Sequence, residues 1–194
     1  MIRNSNLGCP RAAAIEDDNV AKQGKLNGMI RPDHRKAILG TCALPAALEA
    51  VGERWSFLIL RAAFNGLAHF EEFQGTLGIA RNILSNRLGR LVQNGILARE
   101  PDPADRRKVA YRLTEKGRDL LPALIALRQW GDKWISGMPS NPVLVDRISR
   151  HPVAQMAVHA ADGRVLDLNE LEWLDRGELP AIAMAPIGAR RSTP

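Results

Sequence analysis

Apolar positions in the middle of the chain recur every three or four residues, and this spacing predicts a series of helices. The first helix should start within residues 41–44, because Pro45 is tolerated only in a first turn, and Gly52 ends it. A second helix at about 55–64 is apolar nearly all round, so we expect it in the middle of a domain. A third short helix is predicted at about 70–77.

The most informative segment is a fourth predicted helix, at about 80–94, together with the two strand-like runs after it. Asn94-Gly95 is a helix stop, because glycine is free to take a positive φ. The strand-like runs are 96–100 and 109–113, and two prolines in the loop between them exclude helix and suit a hairpin tip. A helix followed by such a hairpin is the order in which a winged helix-turn-helix presents a helix and a wing to DNA.

A long last helix is expected to begin at Thr114, whose side chain suits an N-cap. Pro122 lies too far inside this helix to be neutral, so a kink or a second helix start is predicted there. Beyond a linker at 138–142, residues 153–159 and 164–168 flank a turn signal and predict a small hairpin.

These elements predict a chain that is mainly α with a small β-wing, an α+β winged helix-turn-helix with a long last helix and a short C-terminal hairpin. Residues 1–40 lack apolar periodicity and are expected to form a flexible tail. Residues 41–138 are expected to form the winged domain. Residues 139–194 are predicted to be an extension with a disordered end.

The fourth helix has two chemically distinct sides. Leu84, Leu88 and Leu91 share one side and should face the core. The other side is polar, and Asn, Gln and Arg are side chains that match base edges in the major groove. Gly89 in mid-helix costs roughly 0.5–1 kcal/mol against alanine, which a close approach to DNA or tight packing would explain. We expect base contacts from Asn82, Ser85, Asn86 and Arg90, and phosphate contacts from Arg81, Arg87, Arg106, Arg107 and Lys108.

An ordinary surface helix with a solvated polar face would look similar in isolation. Two features favour an interface with DNA. No carboxylate occurs between Arg81 and Gln93, and a basic hairpin tip comes directly after the helix. Residues 81–112 hold eight Lys and Arg against three Asp and Glu, so basic charge is concentrated in this part of the chain.

The charge of the whole chain also favours a polyanionic partner. The net charge is +6 and the pI is near 9.9, as expected for a protein that binds nucleic acid or an anionic membrane surface. The excess is +3 in residues 1–40, +3 in 41–113 and zero in 114–194. No apolar run approaches the ~18 residues of a membrane span, and the N-terminus lacks a secretory core, so we expect a cytoplasmic protein.

Motifs for catalysis or metal binding are missing from the sequence. The four histidines have no metal-site spacing, and the two cysteines form no Cys-x-x-Cys. There is no G-x-S-x-G and no phosphate-binding glycine loop. We therefore expect no enzyme activity, no cofactor and no metal.

A set of short motifs is spread over residues 40–136, about half of the chain. They include Val51-Gly52-Glu53-Arg54-Trp55, Phe70-Glu71-Glu72-Phe73, Leu84-Ser85-Asn86-Arg87-Leu88, Leu91-Val92-Gln93-Asn94-Gly95-Ile96-Leu97 and Tyr111-Arg112-Leu113-Thr114-Glu115-Lys116-Gly117. Together they resemble the HxlR family of bacterial winged helix-turn-helix regulators, relatives of the MarR type. The resemblance implies a DNA-binding homodimer that acts as a transcriptional regulator, often a repressor, and responds to a small molecule or an oxidant.

The resemblance also implies that the first and the long last helices form the two-fold interface. An apolar stripe on the last helix exceeds what one small domain needs, although packing within the chain is the alternative. A dimer would space two recognition helices ~34–36 Å apart and predicts a pseudo-palindromic operator in double-stranded DNA. The expected interface residues are Leu44, Leu48, Leu124, Leu127, Trp130 and Trp134.

Cys42 occupies the position of the family's usual cysteine, near a helix N-terminus where the helix dipole favours a thiolate. It is a candidate redox sensor. The family's Cys-Pro is replaced here by Cys42-Ala43, and a small buried apolar residue is the alternative interpretation.

Two other functions compete with a sequence-specific regulator. One is a winged-helix protein-interaction module that does not read DNA sequence. The other is non-specific compaction of nucleic acid, which a net charge of only +6 does not favour.

Overall fold

A computed structural model describes residues 42–102, 105, 107–174 and 176–179. The chain divides into two compact units, and the first spans 41–157. This unit extends beyond the limit at residue 138 that the sequence predicts. The expected tail and disordered end, like Arg106 of the hairpin tip, lie outside the described residues.

Four helices open the first unit. They are α1 (Leu44–Val51), α2 (Arg54–Phe64), α3 (Phe70–Leu77) and α4 (Arg81–Gln93). Pro45 lies in the first turn of α1, where its missing N–H costs no hydrogen bond. The helices that the apolar spacing predicts are therefore present.

Two antiparallel strands come after α4 and form the wing. Strand β1 spans Leu97–Pro101 and pairs with β2, Val109–Leu113, so that Leu97 lies opposite Leu113. An isolated bridge between His69 and Ala110 joins β2 to the chain just before α3. This arrangement is mostly helical with one small sheet, which confirms the predicted fold class.

The long last helix is divided at the proline, as the sequence predicts. A short helix α5 covers Glu115–Arg118, and Thr114 caps it by accepting a hydrogen bond from the Gly117 amide at 3.0 Å. Helix α6, Leu121–Gly131, then starts afresh with Pro122 in its first turn. A π-helical turn at Asp132–Ser136 continues it.

One hydrophobic core holds the winged part of the unit together. It combines the leucines of α4 with the middle of α2, Phe73 of α3 and the start of β1. Leu84, Leu88, Ile59 and Leu60 are all fully buried. The centre of α2 is therefore internal, as its apolar sequence predicts.

Residues 137–157, which we call the strap, return along α6 and are held by polar side chains. The Gln129 amide donates to the Ala154 carbonyl at 3.0 Å and accepts from the Met156 amide at 2.7 Å. The Arg128 guanidinium donates to the carbonyl of Ser140 at 3.3 Å, and the Ser140 hydroxyl donates to Asp132. These contacts explain why the compact unit continues past residue 138.

The second unit contains the described residues 158–174 and 176–179. A turn at Gly163, with φ of 92°, brings His159 opposite Val165 in an isolated antiparallel bridge. Two short 3-10 turns come next, Leu168–Glu170 and Arg176–Glu178. Among these residues the predicted hairpin is thus reduced to a turn with one bridge and no regular strand.

Candidate nucleic-acid interface

The outward side of α4 carries polar side chains that are exposed to solvent. Asn82, Ser85 and Asn86 are exposed, while Leu84 and Leu88 behind them are fully buried. Within the described ranges these three polar side chains make no hydrogen bond to other protein groups. The leucines therefore fix the orientation of the helix, and the amide and hydroxyl groups face solvent.

A tight turn sets how α4 is presented. Helix α3 ends at Gly78, whose φ of 60° is left-handed, and the extended Ala80 is the N-cap of α4. Only three residues separate the helices, as in a helix-turn-helix. Ile79, in the middle of this turn, is 3% exposed and belongs to the core. This buried residue anchors the turn from which α4 projects.

Arg81 marks the N-terminal end of α4. Its guanidinium lies over the Phe70 ring, 4.9 Å from the ring centroid, and the residue is exposed. Among the residues described, no carboxylate pairs with it. Stacking on an aromatic ring holds the charge in place without neutralising it, so Arg81 is available to an anion.

Arg87 lies in a different environment from the one that the sequence predicts. Its side chain is only 17% exposed and forms an ion pair with Glu53, the N-cap residue of α2. Its Nε is buried and has no hydrogen-bond partner in the described part of the chain. The free phosphate-contacting cation expected from the sequence is, in the structure, an internal ion pair.

Arg90 is also partnered, although it is more exposed than Arg87. One of its terminal nitrogens is 3.5 Å from Glu53 and the other is 3.8 Å from Glu49 of α1. Although α4 itself contains no carboxylate, two glutamates from other elements place negative charge beside one of its flanks. The sequence of α4 alone could not show this, because the two glutamates precede α4 by about thirty residues.

The wing presents basic residues near its tip. Lys108 is exposed, and its carbonyl accepts from the Asp102 amide at 2.9 Å, which closes the end of the hairpin. Arg107 is 92% exposed, and its Nε donates a hydrogen bond to Asp105 at 3.2 Å. Such an exposed pair is screened by solvent, so Arg107 remains able to contact a phosphate.

A histidine connects the wing with the helix-turn-helix, and sequence reasoning missed it. His69 Nε2 is 2.6 Å from a carboxylate oxygen of Asp102, and its Nδ1 is 3.4 Å from Glu72. The hydrogen bond with Asp102 is the main cause that raises the pKa of His69 above 6.5. Backbone amides of Ala68 and His69 donate to Glu72 and lower the pKa of that carboxyl. No local motif could have revealed a partner 33 residues away.

The residues expected at a dimer interface lie largely on the surface. Leu44, Leu48, Leu127, Trp130 and Trp134 are between 51% and 60% exposed, and Leu124 is half-buried. No residue of α6 is fully buried. Arg128 and Gln129, which hold the strap, occupy other positions around the helix. Packing within the described part of the chain therefore does not account for this apolar stripe.

Cys42 is exposed and lies just before α1. Its Sγ accepts a hydrogen bond from the Leu44 amide at 3.4 Å. The alternative of a small buried residue does not apply at this position.

A metal site and a membrane-spanning helix would each place specific requirements on the described residues. In the described part of the chain, no group of three or more His, Cys, Asp or Glu is placed to hold a metal ion. No described helix combines the length and apolarity needed to cross a bilayer.

Comparisons with known proteins agree with this geometry. Residues 50–138 match the family model of the HxlR-like helix-turn-helix. An uncharacterized HTH-type transcriptional regulator of Mycobacterium tuberculosis is 47% identical over 97 residues, which are 50% of this chain and 61% of that protein. The HTH-type transcriptional regulator YodB of Bacillus subtilis is 34% identical over 92 residues, 47% of this chain and 82% of that protein. The solved structure of PA1607, a protein proposed to be a transcription factor, has a TM-score of 0.65 at 40% identity and covers 74% of this chain and 99% of that one.

The turn between α3 and α4, the exposed face of α4 and the small sheet define a winged helix-turn-helix protein. With the matches to the family model and to these relatives, the chain belongs to the HxlR-like helix-turn-helix family, as its motifs indicate. This is a family of transcriptional regulators and not of enzymes. The match spans about 61% of the length of the mycobacterial relative.

Proposed function

We propose that this protein is a sequence-specific DNA-binding transcriptional regulator that acts as a homodimer, most simply as a repressor. The observation that carries the proposal is the outward side of α4. Its amide and hydroxyl groups are exposed and form no hydrogen bond with the residues that the structure describes, and buried leucines hold the helix in place. Such groups match the donors and acceptors of base edges in the major groove.

The geometry supports distinct roles for the exposed residues. Asn82, Ser85 and Asn86 would contact bases, because they share the outward side of α4. Arg81 at the start of the helix and the basic residues of the wing would contact phosphates, which position the protein equally on every sequence. The wing residues proposed for this role are Arg106, Arg107 and Lys108. Neither set includes Arg87, which is only 17% exposed and pairs with Glu53, or Arg90, whose guanidinium contacts both Glu49 and Glu53.

A homodimer is supported by the exposed leucines of α1 and α6, by Trp130 of α6 and by Trp134 of the π-helical turn that continues it. Two copies related by a two-fold axis would place their α4 helices about one DNA turn apart, ~34–36 Å, on a pseudo-palindromic operator. Control by a small molecule or an oxidant is part of the proposal. The exposed Cys42 thiol, at the start of a helix that carries two of the interface leucines, is where an oxidant would act.

Selection of bound duplexes from a random pool tests the proposal directly. We expect the protein to enrich a pseudo-palindromic site, with log–log salt dependence typical of several phosphate contacts. Asn86→Ala should reduce discrimination between the selected site and random DNA, at about 1–3 kcal/mol for a lost base contact. Arg107→Ala should instead weaken binding to both DNAs and flatten the salt dependence by about one contact.

Arg147→Ala is the control for charge, because Arg147 is exposed in the strap, far along the chain from the wing. It should leave both affinities unchanged. Equal effects of Asn86→Ala and Arg107→Ala on specific and random DNA would refute the assigned roles. A shallow salt slope with no enriched site would favour a protein-interaction module instead.

A further inference from the structure

One flank of α4 is occupied by ion pairs rather than by free cations. Residues 87, 90 and 94 are spaced three and four apart, so they share one side of the helix. This side faces the junction of α1 and α2. There Glu53 contacts Arg87 and Arg90, and the Asn94 side-chain amide donates to the Ala50 carbonyl at 2.9 Å.

Glu53 is the central residue of this cluster. Its carboxylate engages both arginines, one oxygen for each, and it occupies the N-cap position of α2. Glu49 contributes less, because it contacts only Arg90, at 3.8 Å, and is 85% exposed. Removing the Glu53 charge would therefore release two guanidinium groups, whereas removing the Glu49 charge would only weaken the hold on one.

The balance of charge beside the DNA-facing side matters for selectivity. A guanidinium on a helix flank attracts phosphates on any sequence, so it strengthens non-specific binding without adding discrimination. Arg87 is mostly buried, its ion pair with Glu53 is made by a terminal nitrogen, and its Nε has no hydrogen-bond partner among the described residues. Without the Glu53 carboxylate, its charge would be buried and uncompensated, which favours movement of the side chain towards solvent.

We propose that Glu53 is a specificity-determining positioning residue that restrains Arg87 and Arg90. By neutralising this flank, it lowers the affinity for random DNA and leaves the amide side of α4 to select the operator. The inference rests on the proposed function, since it concerns how the same surface distinguishes DNA sequences. In this proposal Arg87 and Arg90 are held by Glu53 and do not contact DNA directly.

The test compares wild type, Glu53→Gln and Glu49→Gln on the operator selected by the wild type and on a random duplex. We expect Glu53→Gln to bind random DNA roughly three- to ten-fold more tightly, with a salt slope steeper by about 0.9 for each arginine that gains a phosphate. The ratio of operator to random affinity should fall by a similar factor. Glu49→Gln should shift the random-DNA affinity, the salt slope and the affinity ratio in the same directions, but by smaller amounts.

A double variant identifies the source of the change. If Arg90 supplies a new phosphate contact, Glu53→Gln/Arg90→Gln should bind random DNA less tightly than Glu53→Gln alone, with a slope closer to that of wild type. Unchanged ratio and slope in Glu53→Gln would overturn the proposal. So would a loss of operator binding without any gain on random DNA, which would indicate a purely structural ion pair.

Two further outcomes need separate interpretation: a Glu53→Gln variant that does not fold, and a wild-type protein that selects no DNA site. If Glu53→Gln does not fold, Arg90→Gln still decides, because the proposal gives Arg90 no contact with DNA while Glu53 holds it. A salt slope flatter by about one contact in Arg90→Gln than in wild type would then overturn the proposal. If the wild type selects no site at all, the proposed regulator function fails, whereas the Glu53 inference fails when the wild type selects a site and Glu53→Gln gains no affinity for random DNA.

Discussion

At the scale of single residues, Gly89 is a position where a substitution should affect protein stability and DNA binding in opposite directions. A Cβ built at this position in the middle of α4 meets no described atom beyond the neighbouring backbone of its own helix within 4 Å, so tight packing does not explain the glycine. Of the two explanations that the sequence allows, a close approach to DNA is the one left to test. The fold has room for an alanine side chain at this position, whereas the methyl group would collide with a DNA duplex bound close to the helix.

We predict that Gly89→Ala stabilises the protein by about 0.5–1 kcal/mol and weakens DNA binding. Alanine restricts the unfolded chain and favours the helix, while its methyl group would meet the DNA surface. Urea unfolding and DNA titration measure the two effects. Gly75→Ala is the matched control, because Gly75 is also an exposed helical glycine, and a Cβ added there meets no described side chain or distant backbone within 4 Å. If both variants bind DNA as tightly as wild type, α4 does not approach DNA closely at residue 89.

At the scale of elements, sequence periodicity predicted the helices but not the ion pairs between them. Helical spacing and the glycine stops suffice to locate α4, and they place Leu84 and Leu88 in the core. The partners of Arg87 and His69 come from elements far away in sequence, so no local pattern contains them. Side chains on helix flanks are consequently the ones whose roles the sequence alone assigned least well.

The His69 cluster is the clearest such case, and it predicts a pH dependence. The pKa of His69 is raised above 6.5 in the folded protein, mainly by the hydrogen bond with Asp102. Protonated His69 therefore stabilises the fold, fully below the pKa of the unfolded chain, and this contribution is lost as pH rises through the raised value. The Glu72 pKa is lowered from 4.5, so its contribution is present above that value and is lost as pH falls through the lowered pKa.

We therefore expect the cluster to contribute most between about pH 4.5 and 6.5 and less at pH 8. Urea unfolding of wild type and His69→Gln across this range measures it. The difference between the two proteins should shrink as pH rises above 6.5, because neutral histidine keeps only a hydrogen bond to Asp102. A difference that is constant from about pH 5.5 to about pH 8.5 would show that His69 does not hold the wing through its charge.

At the scale of the whole molecule, the apolar stripe of α6 and the strap are separate surfaces. Arg128 and Gln129 bind the strap through polar groups, whereas Leu127 and Trp130 remain more than half exposed. The strap thus does not cover these two side chains. A second copy of the chain is the occupant that the proposed function requires, because a two-fold pair is needed to read both halves of a pseudo-palindrome.

We predict that Leu127→Glu weakens self-association at least about ten-fold, because a carboxylate would be buried where an apolar side chain packed against its partner. Sedimentation velocity over a range of protein concentrations measures the effect. Binding to the full operator should fall in parallel, while the weaker binding to a single half-site should persist, since α4 and the wing are intact in each protomer. Ile148→Glu, which places the same charge at a 93% exposed position in the strap, should leave both association and DNA binding unchanged. If Leu127→Glu remains as dimeric as wild type, α6 is not the interface, and the paired presentation of two α4 helices needs another surface.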